Sequence, residues 1–105
     1  MVWANYFAHV SPTGETPLAR IVASHYVSTG SSYELGENIV LGTLALATPA
    51  AAMTGWMNSP EHRANILNPL FRDSGIGVVA QAPARYSNGQ GGAVYTQDFG
   101  VVQAP

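Results

Sequence analysis

A chain of 105 residues is long enough for one domain with a modest core, and 47% hydrophobic residues suit a globular fold. The net charge of -2, with arginine at four positions and no lysine, offers no basic stripe for nucleic acid. There is no cysteine for a disulfide or a thiolate metal site, and no run of about 18 apolar residues to span a membrane.

In chain order, the first segment is aromatic and polar. It lacks the basic and apolar regions of a secretory leader, and a leader removed from a longer precursor is compatible with this. Pro12, Gly14 and Pro17 make residues 11–17 a turn. Thr16-Pro17 reads as a helix cap with proline at the first helical position. Leu18, Ile21, Val22 and Tyr26 then form an amphipathic stripe, with Gly30 as the stop. Residues 31–42 read as irregular or briefly extended. Thr48-Pro49 repeats the start signal for a helix through Asn58, and Ser59-Pro60 opens a third helix to about Leu67, ended by Asn68-Pro69. Beyond it, Gly75–Gln81 and Ala93–Val102 read as strands, joined by a long hairpin loop at 87–92. Helices followed by an antiparallel pair is an α+β pattern. Two strands are marginal alone, so a third strand or covering helices are expected.

Three short segments concentrate the chemistry: Tyr6-Phe7-Ala8-His9, Gly36-Glu37-Asn38-Ile39, and Trp56 through Leu67 with His62. Two imidazoles and a carboxylate suffice for a divalent ion with open positions, or for acid–base work. The structural alternative stays open for each. His9 caps a turn near Ser11, Glu37 caps backbone donors, and His62 is solvated in a first helical turn. None of Ser11, Ser59 and Ser74 sits in a Gly-x-Ser-x-Gly elbow, and Ser59 reads as an N-cap. Asp98 reads as an edge-strand charge, His25 as a hydrogen-bonded, half-buried histidine, Asn65 as a loop tie, and Arg63 as a partner for a carboxylate.

These segments, with Gly75-Ile76-Gly77-Val78 and Tyr95-Thr96-Gln97-Asp98-Phe99-Gly100, occur in an order that resembles the bacterial branch of the CAP superfamily, the cysteine-rich secretory, antigen 5 and pathogenesis-related class. The resemblance covers nearly the whole chain and implies a single domain over 1–105. It implies an α-β-α sandwich around an antiparallel sheet, an extracellular location, secreted or associated with a cell wall, and a central cleft. In that cleft it assigns His9, Glu37 and His62 to a divalent ion, often zinc. The second cleft acid of eukaryotic members falls near Asn58-Ser59, where neither residue is acidic, and Glu61 is close by. Family members usually begin with a further helix, so the domain is expected to be truncated at its N-terminus, and a bared apolar face favours self-association. The implied function is a binding domain for a metal, small molecule, lipid or cell-wall component, without catalysis. The alternatives are a metal-assisted hydrolase and a lipid or sterol carrier. No catalytic residue is assigned.

Overall fold

The computed structural model describes residues 1, 4–28 and 30–103. Its elements are α1 (Pro17–Ala23), β1 (Ser32–Thr43), a 3-10 turn (Leu44–Ala47), α2 (Pro49–Met57), α3 (Pro60–Leu67), β2 (Asp73–Val79), α4 (Ala84–Ser87) and β3 (Gly92–Gln103). The strands form one antiparallel sheet in the order β1-β3-β2. The strand that comes last in the chain is thus the central one.

The helix starts follow the local chemistry. The hydroxyls of Thr16 and Thr48 each accept a backbone N–H three residues on, from Ala19 and Ala51, both at 3.1 Å. Proline follows each as the first helical residue. α1 ends well before Gly30, however. The Ser24 hydroxyl donates back to the Ile21 carbonyl at 2.6 Å, and His25 takes a left-handed φ of 67°. Within the stripe only Ile21 is buried, while Leu18 and Val22 stay exposed. The turn frees Tyr26 to cross the sheet, where its ring lies over Gly100. A Cβ on Gly100 would sit 2.7 Å from that ring, so the position needs glycine.

Residues 31–42 are the largest departure from the sequence reading. They are not irregular but form β1, twelve residues long and paired with β3 along its whole length. Ser, Glu, Gly and Asn give this stretch low strand propensity, and pairing with β3 overrides it. β1 supplies the expected third strand.

Consecutive strand residues point to opposite faces. On the face bearing Glu37, Asp98 and Gly100 lies α1. On the other, bearing Asn38, Val40, Ala93 and Tyr95, lie α2 and α3. Helices on both faces make the α-β-α sandwich. The core is on the second face: Ala52, Trp56, Ala93 and Tyr95, with Val40, Ala47 and Ile66 packed against them. Its two large aromatics satisfy their polar tips on backbone carbonyls. Trp56 Nε1 donates to Ile39 O at 3.1 Å, and the Tyr95 hydroxyl donates to Ala47 O at 2.6 Å. The 3-10 turn doubles back on β1 so closely that a Cβ on Gly42 would lie 1.9 Å from Leu46 O. Every residue of β2 is exposed, including Ile76 and Val78.

Two glycines give opposite expectations. Gly42→Ala must displace backbone and should destabilise the fold by about 1–3 kcal/mol. Gly55→Ala, in α2 with nothing within 4 Å of the added methyl, should stabilise it by about 0.5–1 kcal/mol. Urea denaturation of both variants reads the two signs.

Candidate functional site

Glu37 is the centre of the site. Its side chain is 2% exposed, and it lies on β1 opposite Asp98 of the central strand. Arg20, from α1, donates through Nη2 to Glu37 Oε1 at 3.1 Å and Oε2 at 3.2 Å. The same nitrogen donates to the His9 carbonyl at 2.8 Å. His9 Nδ1 lies 2.9 Å from Glu37 Oε1. An ionised carboxylate only accepts, so Nδ1 carries the proton there and the neutral ring leaves Nε2 with its lone pair. The His9 side chain is 48% exposed, so this ring forms the solvent-facing side of the cluster. Arg20 extends it outward to Glu15, donating to the backbone oxygen at 3.3 Å and lying 3.8 Å from the carboxylate.

The two acids titrate apart. Burial pushes Glu37 up, but hydrogen bonds from Asp98, His9 and Arg20, with the arginine's charge, outweigh it and hold the carboxyl below its usual range. Burial also pushes Asp98 up, and its hydrogen bond to Glu37 and the charge there add to the effect. Arg20 offsets them only in part, leaving Asp98 at about 7. Asp98 Oδ1 is buried and has no hydrogen-bond partner among the described residues, which disfavours the ionised form. Asp98 is therefore not an edge-strand charge. It sits on the central strand, and its neighbour across the ladder is a carboxylate.

On the opposite face, α3 is fixed to β1 through amides. Asn38 is fully buried and its Nδ2 donates to the His62 carbonyl at 3.0 Å. Asn65 Nδ2 donates to Asn38 Oδ1 at 2.9 Å and to Glu37 O at 3.3 Å, which confirms Asn65 as a structural tie. His62 Nδ1 lies 2.7 Å from Ser59 Oγ. The Ser59 hydroxyl thus engages the imidazole instead of a backbone N–H, so Ser59 occupies the N-cap position without a side-chain cap bond. Its partner accounts for the difference: an imidazole one turn on competes for the hydroxyl.

His9 and Glu37 come together as the motifs suggested, whereas His62 approaches β1 by way of the other face. Among the described residues no three His, Asp or Glu side chains gather closely enough to hold an ion. Arg63 is exposed and makes no ion pair among them. His25 is exposed in the turn after α1 rather than half-buried, because its left-handed backbone turns the chain off the helix. Ser11 accepts from Glu15 N at 2.9 Å and Ser74 from Gln97 Nε2 at 3.1 Å, so both are structural. Sequence reasoning missed Arg20 and misplaced Asp98. Arg20 sits beside Ile21 on a short helix with few charges around it, a usable signal. Asp98 needed the register with β1.

The sequence profile of the cysteine-rich secretory protein family matches residues 1–99. The chain is 40% identical over 96 residues to YkwD of Bacillus subtilis (strain 168), a protein described as uncharacterized. That match takes in 90% of this chain and 30% of YkwD, so the chain spans under a third of its relative. No solved structure matches.

Removing Arg20 strands a buried carboxylate, so Arg20→Met should destabilise by about 3–5 kcal/mol, and Glu37→Gln with Arg20→Met by less than the sum of the two single changes. A double-mutant cycle in urea measures the coupling. The pH dependence has a defined sign. Asp98 is raised from 3.8 to about 7, so its contribution is complete below about pH 4 and is lost as pH rises through 7. Glu37 is lowered from 4.5, so its contribution is present above that value and is lost as pH falls. Stability should peak between these limits. Asp98→Asn should remove the decline between about pH 4 and pH 7, a difference of about 1–2 kcal/mol once screening of a half-buried group is discounted.

Proposed function

The chain belongs to the cysteine-rich secretory protein family, and on that premise we propose that it is an extracellular binding domain, without catalysis, whose cleft at His9 takes a divalent ion or a small ligand. The observation that carries this reading is the contact of His9 Nδ1 with buried Glu37 at 2.9 Å. A carboxylate behind an imidazole fixes the ring and its tautomer and directs the free nitrogen outward, as behind metal-ligating histidines. An extracellular role is supported by the family's secretory description, and no helix among the described residues is long and apolar enough to cross a membrane.

The donor chemistry fits a divalent ion in part. His9 and His62 each have Nδ1 held by a partner, Glu37 and Ser59, which suits ligation through Nε2. Glu37 does not fit as a ligand, because Arg20 and His9 already hold its oxygens. The proposal therefore rests zinc or a similar cation on His9, with Glu37 as a positioning residue behind it, and treats His62, whose helix lies on the other face, as a second ligand to be tested. A bound cation would supply positive charge and an open coordination position for a ligand donor. Absence of turnover is supported by the hub itself: Arg20 neutralises the carboxylate that a general base would need to be free. The Ser59–His62 contact at 2.7 Å favours a second reading, a hydrolase, but no carboxylate backs that imidazole among the described residues.

Zinc calorimetry between pH 5 and pH 8 tests the proposal. Affinity should weaken as pH falls, since an imidazole must be neutral to ligate. Binding should vanish in His9→Ala and weaken about 10–100-fold in Glu37→Gln, and its loss in His62→Ala as well would establish His62 as the second ligand. Binding indifferent to all three variants rejects the site, and turnover of peptide or ester substrates that is lost in Ser59→Ala establishes the second reading.

A further inference from the structure

We propose that a separate cavity, over the β2 side of the α1 face, is a binding site for a neutral sugar ring. The cavity holds about 650 Å³, within the range of small-molecule sites of roughly 300–1,000 Å³. It uses neither His9 nor His62 and stands independently of the ion reading.

The floor is the argument's first part. Gly75 and Gly77 face the cavity from β2, beside their ladder partners Asp98 and Thr96 on β3. Glycine weakens a strand, and in strand interiors it often marks close approach by a ligand or another backbone. Gly100 illustrates such approach, since the Tyr26 ring covers it. Over Gly75 and Gly77 nothing in the chain lies within 4 Å of an added Cβ. Two glycines on one face of one strand thus leave a flat strip of bare backbone that no part of the described chain covers.

The walls define the ligand. Tyr6 and Tyr26 flank the floor, with Ile21 from α1, and offer apolar surface to a flat body. The rim is polar, and its arginine is already committed. Arg20 is bound to Glu37, and the Asp73 carboxylate accepts from the Tyr26 hydroxyl at 2.6 Å. With the arginine held and a carboxylate beside it, the rim disfavours a phosphate or a carboxylate ligand. Next to the floor stand the Thr96 hydroxyl and the Asp98 carboxyl, groups that both donate and accept. A ligand with a flat C–H face and hydroxyls around its edge matches both sets of surfaces, and a pyranose has this form. A lipid chain would leave Asp98 and Thr96 unpaired.

The test is amide-detected NMR titration of the 105-residue chain with methyl β-glucoside and N-acetylglucosamine, with cyclohexanol as the apolar comparison. A single ring gives a Kd on the order of 1 mM by ligand-efficiency limits. Saturable shifts are expected at amides of 75–77 and 96–98, with cyclohexanol at least about tenfold weaker. Gly77→Val should weaken sugar binding at least about tenfold with a folded spectrum, and Gly77→Ala provides a milder version of the same block. Thr96→Val should weaken it, and His9→Ala should leave it unchanged. No saturation by about 50 mM sugar, equal binding of cyclohexanol, or full binding in both Gly77 variants overturns the proposal. Zinc calorimetry reads the ion cleft without reference to this cavity, so either site can fail alone.

Discussion

A carboxylate removed from water must be neutralised, hydrogen-bonded or both, and Glu37 is where this protein meets that demand. Its side chain is 2% exposed. Its partners come from the segment before α1, from α1 and from β3, and these are the parts that one face of the sheet has to hold together. With only 10% charged residues, the chain has few other polar means of fixing a short helix to a sheet. α1 has seven residues and buries Ile21 alone, so its apolar contribution is small. The Arg20–Glu37 pair gives the helix its position, and the Arg20–His9 carbonyl bond sets the preceding loop. The imidazole is aimed as a result of this architecture. Structure and candidate chemistry therefore share one carboxylate, which limits how freely it can do a second task.

The two faces of the sheet solve the same assembly problem by different physics. On the α2–α3 face, apolar packing around Trp56 and Tyr95 dominates, and the buried Asn38–Asn65 amide pair supplies register. On the α1 face, ionic and hydrogen-bonded contacts dominate, and apolar cover is sparse. Neutral amides are insensitive to pH and weakly sensitive to salt. The ionic face responds to both. The half of the molecule that carries the exposed histidine is also the half whose stability varies with conditions.

Much of this was legible in the residues. Thr16-Pro17, Thr48-Pro49 and Ser59-Pro60 each mark a helix start, since capping and fixed φ act locally. β2 and β3 were found within two residues because their alternation is local too. β1 was not, because its identity depends on a partner some 60 residues away in sequence rather than on its own propensity. The same blindness explains the site. His9 and Glu37 stand out as rare polar groups inside motifs. The meaning of Asp98 depends on the register that places it against Glu37, and that of Arg20 on a helix end that only the Ser24–His25 turn defines. Ser59 shows the converse: a correct cap position whose hydroxyl goes to a side chain instead.

The strand order has a consequence for how the molecule comes into being. β3 lies between β1 and β2 yet is the last strand made. Until its residues are available, β1 and β2 have no partner, and Glu37 lacks its ladder neighbour Asp98. During synthesis the earlier segments leave the ribosome as short helices and unpaired extended chain. Sheet formation then proceeds in one late step with large loops to close, a topology that folds slowly and exposes strand edges meanwhile. Neither face of the sheet can be completed before β3 is available, because β3 carries Ala93 and Tyr95 on one side and Asp98 on the other.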